Sequence, residues 1–330
     1  VVGMVATGMI GCDLGLASCT CCQAGFGKSG ARFIVSTIFA VNMIGWFGIQ
    51  NGVCGEAFSN AMLAMTGWDI PVVVSNTIWG IIMLLTAVYG VHALEKLDKI
   101  SIPLLMIIMC YGTFLAFKVY GTGNLNDEGT VQSMSFMSGV ALSFNFTAVG
   151  TITGPDYTRF QKSRKDTVKS VFYGVFPMGV ITLIMGIVLT KLSGQYDISM
   201  VLIEVGLPLL GIIALVISTW TTNSTNAYSA GLNIVMALKL KDNRRREATL
   251  ISGIVGIVLC DLGILGHVEG VLSLLSYVVC PVGGVILADY WVVGKGKAKN
   301  FRPQDGVNWA GVIAWALGAI ISYTLVKIEF

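Results

Sequence analysis

Charge is scarce in this sequence. Only 12% of its 330 residues are Asp, Glu, Lys or Arg, where a soluble globular domain carries about 25%. Histidine is scarcer still: His92 and His267 stand alone, with no cluster of Asp, Glu or Cys beside them. Metal-assisted chemistry, or a nucleophile activated by a base, has nothing here to be built from, so an enzyme is not expected. No glycine loop of the phosphate-cradling kind is present. The net charge of +3 is too small to make a nucleic-acid surface, so no nucleic-acid partner is expected. Ten-residue stretches of alternating polarity are missing too, which excludes an outer-membrane barrel. The run Cys19-Thr20-Cys21-Cys22 lacks zinc spacing and reads as small packing residues in a reduced, cytoplasmic setting. The chain opens Val1-Val2-Gly3 inside an apolar segment and ends Lys327-Ile328-Glu329-Phe330 just after another. It reads as a fragment of a longer protein, with no signal peptide to be recognised.

What is present in abundance is apolar surface. Hydrophobic residues make up 55% of the chain and the mean hydropathy is +0.78. Ten apolar stretches follow one another, at about 1–22, 33–65, 70–92, 100–120, 134–157, 168–192, 201–238, 248–266, 268–292 and 307–327. Most reach the roughly 20 residues that an α-helix needs to cross a bilayer. The fold class is therefore an all-α, multi-pass integral membrane protein, one membrane-embedded domain over residues 1–330 with lipid as its solvent. Forty glycines suit close helix packing and broken helices.

Eighteen of the 21 basic residues fall in alternate loops, which hold Lys28 and Arg32; Lys96 and Lys99; Arg159 to Lys169; Lys239 to Arg246; and Lys295 to Arg302. The other loops keep Lys118, Lys191 and Lys327, with Asp69, Asp127, Glu128 and Asp197 among their acids. Positive charge stays inside, so the first set is cytoplasmic. The second stretch then runs inside to outside, and the fifth and seventh outside to inside. Trp46, the 146–150 segment and Thr222 come to similar depth near the middle of the membrane, where transporters commonly bind substrate.

Three polar or aromatic interruptions at that depth are candidate site elements. In the second stretch Asn42, Trp46 and Gln50 recur every fourth residue and share one helix face. Tryptophan usually sits at membrane interfaces; here it is either packed in an interhelical seam or offers a platform for a flat ligand. The Gln50 amide places a donor beside an acceptor, matching the edge of a nucleobase or a hydantoin. In the fifth stretch Gly139, Gly150, Gly154 and Pro155 weaken a continuous helix. If it unwinds, backbone groups near Phe146 and Thr147 become ligand contacts and Phe146 a second aromatic wall. In the seventh, Ser218 to Ser229 form a polar insert in an apolar run. Its adjacent hydroxyls, Thr221 and Thr222, suit a small hard cation, unless they bond back to the preceding helical turn. Asn223 and Asn226 carry amides for a ligand or a neighbouring helix. Asp261 reads as a capped or water-facing carboxylate rather than a proton carrier, and Asp156 with Arg159 as a clamp or cap at the cytoplasmic end of the fifth stretch.

Four motifs carry a resemblance: Gly45-Trp46-Phe47-Gly48; Asp156-Tyr157-Thr158-Arg159-Phe160; Trp220-Thr221-Thr222-Asn223 with Tyr228 and Gly231-Leu232; and Pro281-Val282-Gly283-Gly284-Val285-Ile286-Leu287-Ala288-Asp289-Tyr290. In order and spacing the chain resembles the nucleobase–cation symporters, and among them the bacterial cytosine permeases. That resemblance implies a LeuT-type fold of two inverted five-helix repeats with trailing helices. Residues 1–120 would be the remainder of the first repeat, 134–292 the second and 307–327 a trailing helix: family helices two to eleven, without the first and last. It implies Na⁺-coupled import of a nucleobase, cytosine first, by a protein working as a monomer in the bacterial plasma membrane. Trp46 would stack on the base, opposite Phe146; Thr221 and Thr222 would hold Na⁺ as the coupling ion, with no cofactor expected; Asn223 and Asn226 would face the substrate. There are departures. Met43 stands where cytosine permeases carry an amide, with Asn42 next to it, while Gln50 matches the glutamine of hydantoin-transporting relatives. Aligned on Asp156, Phe146 is one residue out of register, which leaves Phe144, Asn145 or Thr147 as alternatives. Purine, uracil, hydantoin or allantoin, and H⁺ in place of Na⁺, stay open.

Overall fold

The computed structural model describes residues 1–89, 91–126, 143, 147–195 and 197–329. Phe144, Asn145, Phe146 and Gly139 lie outside the described residues. Among the described residues all regular structure is helical. In chain order the α-helices are α1 (Val2–Leu14), α2 (Ser18–Cys21), α3 (Gln23–Gly30), α4 (Ser36–Thr66), α5 (Val72–Tyr89), α6 (Val91–Tyr120), α7 (Gly154–Thr158), α8 (Arg164–Lys169), α9 (Phe176–Ser193), α10 (Ile198–Glu204), α11 (Pro208–Ala237), α12 (Arg245–Asp261), α13 (Val268–Leu287) and α14 (Trp309–Glu329). Residues 147–152 are helical as well. Single π-helical turns at Ala31–Val35 and Ser170–Val175 join α3 to α4 and α8 to α9, and a third, Ala288–Val293, extends α13.

Among the described residues five segments are long and apolar enough to cross a membrane: Gln23–Thr66, Val72–Tyr89, Glu95–Tyr120, Arg164–Ser193 and Gly270–Val293; Val2–Leu14 and Trp309–Leu325 are shorter apolar helices. Among the described residues, some stretches depart from unbroken spans, two of them at glycines with positive φ. The first stops at Gly15, whose φ of 66° closes α1 with a left-handed turn, and resumes at Ser18. The seventh divides at Gly206, so that α10 ends before α11 begins. At 30 residues α11 is about 45 Å long, enough to cross the bilayer alone.

The order from centre to rim follows burial. In Gln23–Thr66, 56% of the apolar window is buried, against 6% in Arg164–Ser193, whose side chains mostly lie on the outside of the helix bundle. Helix α11 lies antiparallel along α4. Its Asn223 meets Phe47, and its Asn233 meets Cys19, which also bonds Ser36. Phe47 is fully buried among Met83, Leu84, Ala227 and Ile257, which seals α4 to α5, α11 and α12. Lipid gives helices no hydrophobic reason to associate, so contact depends on small residues and cross-helix bonds. A Cβ on Gly231 would lie 2.0 Å from Thr249 Oγ1, and one on Gly11 2.4 Å from Pro155 Cα. Where α1 meets the fifth stretch, Thr7 donates to the Thr151 carbonyl (2.6 Å) and Thr158 to that of Gly8 (2.7 Å).

The end that carries the basic loops is tied by two devices. Arg164 Nε donates to both carboxylate oxygens of Asp13 (2.9 Å each), its Nη2 donates to the Gly296 carbonyl (2.5 Å), and its plane lies over Trp291. Tyr290 donates its hydroxyl to the same Asp13. Farther along, Gly27 (φ 77°, ψ 160°) interrupts the helix before α4. Backbone bonds join the chain there to the approach to α14: Lys28 N–H to Gln304, Ser29 N–H to Gly306 and Asn308 N–H to Phe26, each 2.8 Å. Asp156 accepts the Ser18 N–H at 2.8 Å, so it caps α2. The expected clamp or cap of the fifth stretch is therefore replaced by a cap on a different helix, α2. Among the described residues it makes no ion pair with Arg159, whose guanidinium lies over Phe160. Cys19, Cys21 and Cys22 are buried in the main apolar cluster as packing residues, and His267 is exposed.

Candidate functional site: the α4–α11 seam

Trp46 and Thr222 each adjoin a partner of one cross-helix bond, which sets them at similar depth. Asn223 is fully buried, and its Nδ2 donates to the Phe47 carbonyl at 3.1 Å. A buried amide that bonds a neighbouring backbone fixes the axial register of two helices. Ser224 donates to the Met83 carbonyl (3.0 Å) and the Trp220 indole N–H to Thr86 Oγ1 (2.9 Å), so α5 is held at the same level.

On α4 the three residues of the predicted face differ in surroundings. Trp46 is half-buried and packs against the main apolar cluster with Phe39, Met43, Val149, Ile152, Ala230, Val279 and Val282. That cluster draws α4, the 147–152 helix, α11 and α13 together. Gln50 is half-buried. Asn42 is fully buried, and neither its Oδ1 nor its Nδ2 has a partner. Leaving a buried polar group unmatched costs about 1–3 kcal/mol, so Asn42 is a position waiting for a polar neighbour.

The polar insert of α11 is an unbroken helix. Thr221 and Thr222 both donate to the Ser218 carbonyl, at 3.0 and 3.1 Å, and Thr225 donates to Thr221 (3.1 Å). These are the bonds of the back-bonding alternative. They use each hydroxyl hydrogen but leave oxygen lone pairs free, so a hard cation can still be met by Thr221, half-buried, and Thr222, exposed. Two hydroxyls fit the chemistry of Na⁺ and need further oxygens to complete a shell. Asn223 is committed at both ends, its Oδ1 accepting from Asn226 Nδ2 at 3.4 Å. Asn226, half-buried, keeps its carbonyl oxygen for other use.

The fifth stretch contributes what can be described of it. Thr147 is exposed and back-bonded to Ser143 (3.0 Å). The helix jogs at Thr153, just before Gly154-Pro155 opens α7, as a proline lacking its N–H requires. Phe146 lies outside the described residues.

Two cavities occur near the outer ends of the helices. One, of about 330 Å³, is lined by residues including Asn60, Gln195 and Asp197. The other, of about 220 Å³, is lined by residues including Gly52, Glu56, Asn76 and Asp261. Sequence reasoning missed the Asn51–Asn76–Asp261 network beside it. It missed the Asp13–Arg164–Tyr290 cluster too, though an acid ending one apolar run and an arginine opening another were visible.

Comparison with known proteins fits this architecture. All of residues 1–330 match the family described as permeases for cytosine/purines, uracil, thiamine and allantoin. The cytosine permease of Escherichia coli K12 is 31% identical over 324 residues, covering 96% of this chain and 74% of that permease. Among solved structures, Mhp1 in its inward-facing conformation superposes with a TM-score of 0.76 at 18% identity, covering 99% of this chain and 80% of Mhp1. Mhp1 described as a nucleobase-cation-symport-1 family transporter, closed with bromovinylhydantoin bound, gives 0.73 at 17% identity, over 100% and 83%. The fold is the LeuT-type helical arrangement expected from the motifs, and these relatives are transporters rather than enzymes. With helices, motifs and relatives in agreement along its whole length, the chain belongs to the family of cytosine, purine, uracil, thiamine and allantoin permeases.

Proposed function

We propose that the protein imports a nucleobase, cytosine first, by Na⁺-coupled alternating access across a bacterial plasma membrane, working as a monomer. The observation that carries this reading is the Asn223–Phe47 bond at 3.1 Å. It sets an indole and an amide on α4 level with two hydroxyls on α11. Trp46 stacks the ring, Gln50 and Asn42 meet its polar edge, and Thr147 with Phe146 close the opposite side. Thr221 and Thr222 hold the ion, and Asn226, steadied by Asn223, bridges ion and base. An ion and a base on facing helices couple because each holds those helices in the arrangement the other needs. The decisive experiment is uptake of radiolabelled cytosine by the whole transporter in proteoliposomes, with an inward Na⁺ gradient or with choline in its place. Uptake that follows the Na⁺ gradient supports the reading; uptake that follows only a proton gradient, or none, refutes Na⁺ coupling.

One residue favours a second substrate. Gln50 stands where hydantoin-transporting relatives carry glutamine, and its paired donor and acceptor match a hydantoin or allantoin edge as well as cytosine's. Competition by unlabelled cytosine, uracil, purine, hydantoin and allantoin ranks them.

A further inference from the structure

The 220 Å³ cavity lies away from the seam and has a consistent chemistry. Helix α4 leaves the basic loop and ends at Thr66, so Glu56, ten residues before that end, lies about 15 Å inward of it. Asp261 ends α12, and Asn76 is in the second turn of α5. All three line the cavity. Both carboxylates are exposed, and a carboxylate at such depth in a membrane needs water, a proton or a cation beside it. Among the described residues neither Glu56 nor Asp261 forms an ion pair.

The wall adds an independent observation. Asn76 is 4% exposed; its Nδ2 donates to Asp261 Oδ1 at 3.2 Å, and its Oδ1, packed against Gly55 of α4, has no partner. Behind it Asn51 is fully buried, donates its Nδ2 to the Asn76 carbonyl at 2.9 Å, and also leaves its Oδ1 unmatched. Both amides thus turn their hydrogens into the network and keep their oxygens. Carboxylate and amide oxygens together repel an anion and attract a hard cation. No three His, Cys, Asp or Glu side chains converge among the described residues, so a transition-metal set is absent there. A space of 220 Å³ has room for roughly seven waters at about 30 Å³ each, which suits a partly hydrated monovalent ion.

We infer that this cavity is an outer loading site for a hard monovalent cation, held by Glu56 and Asp261 with the Asn76 amide. Gly52 in its wall is six residues, about 9 Å along α4, from Trp46. The site therefore gathers the ion above the seam before it reaches Thr221 and Thr222. Its use in coupling rests on the proposed transport reading; its binding of a cation does not.

The test measures ²²Na⁺ binding to the whole transporter in detergent, without any base, at constant ionic strength made up with choline chloride. Wild type, Glu56→Gln, Asp261→Asn and Thr222→Ala are compared. Glu56→Gln and Asp261→Asn are each expected to raise half-saturating Na⁺ for one class of sites by about tenfold, as ligand charge sets cation affinity. Thr222→Ala is expected to leave that class intact, and Asp261→Glu to restore it. If both carboxamide variants keep the wild-type isotherm and thermal midpoint, the inference is wrong. It is equally wrong if they alter proton uptake alone. Should Asp261→Asn fail to fold, Glu56→Gln decides by the same criterion. Because no base is present, failure of the nucleobase reading shows only in the uptake assay and failure of this site only here.

Discussion

Asn223 and Asn226 look alike in sequence, one helical turn apart on a polar stretch, yet they do different work. Asn223 joins helices, so Asn223→Ala should lower unfolding stability by about 1–3 kcal/mol, read by thermal or denaturant unfolding. Trp46→Ala should remove stacking worth about 1–3 kcal/mol per base, raising the apparent Kd roughly tenfold, besides losing the indole's packing against the main apolar cluster. Thr222→Ala should weaken the Na⁺ dependence of uptake more than it weakens base binding at saturating Na⁺. Unchanged affinity and selectivity in Gln50→Ala would remove that amide from the site. The four-residue spacing of Asn42, Trp46 and Gln50 made their shared face legible. It could not show that Asn42 would be left without a partner, or that the Phe47 carbonyl would face Asn223. Periodicity tells which side of a helix a residue occupies; the neighbour's carbonyl opposite it is a matter of tertiary register.

Helices begin and end here for reasons that are local in some cases and long-range in others. The left-handed turns at Gly15 and Gly206 divide stretches that hydropathy alone joins, since hydropathy counts apolar residues and ignores φ. Gly27 is a sharper case, because φ 77° with ψ 160° is essentially closed to other residues. Gly27→Ala should cost at least the roughly 1–3 kcal/mol of that backbone strain, and a Cβ there would also lie 2.5 Å from the Gly306 carbonyl. The nearby Lys28–Asp305 pair (2.7 Å) holds the Asp305 carboxyl below its usual range. Its contribution is therefore present at neutral pH and lost as acid protonates Asp305. Both groups are well exposed, so Asp305→Asn should change the thermal midpoint far less than Gly27→Ala. At the other tie, Asp13→Ala leaves the Arg164 fork without its carboxylate and should lower stability by about 1.5–3 kcal/mol.

For the whole molecule, the alternation of basic and base-poor loops assigns each apolar stretch an expected direction. The antiparallel run of α11 along α4 agrees with it. Membrane proteins yield this much from sequence because lipid forces backbone bonds inside each helix and positive charge to one side. Which helix lies at the centre was less legible. Helices α4 and α9 are both apolar, and only packing shows that one is buried and the other lies at the rim. The outer cavity was hidden for a similar reason, since Glu56, Asn76 and Asp261 come from three separate helices. The transport reading makes the base and the ion partners across one seam, which requires reciprocal linkage. The direct test is equilibrium binding of cytosine at several Na⁺ concentrations, paired with binding of Na⁺ at several cytosine concentrations, on the whole transporter. The prediction is that each ligand tightens the other by the same factor, and that Thr222→Ala reduces that factor. Affinities that ignore each other would contradict a shared site between α4 and α11.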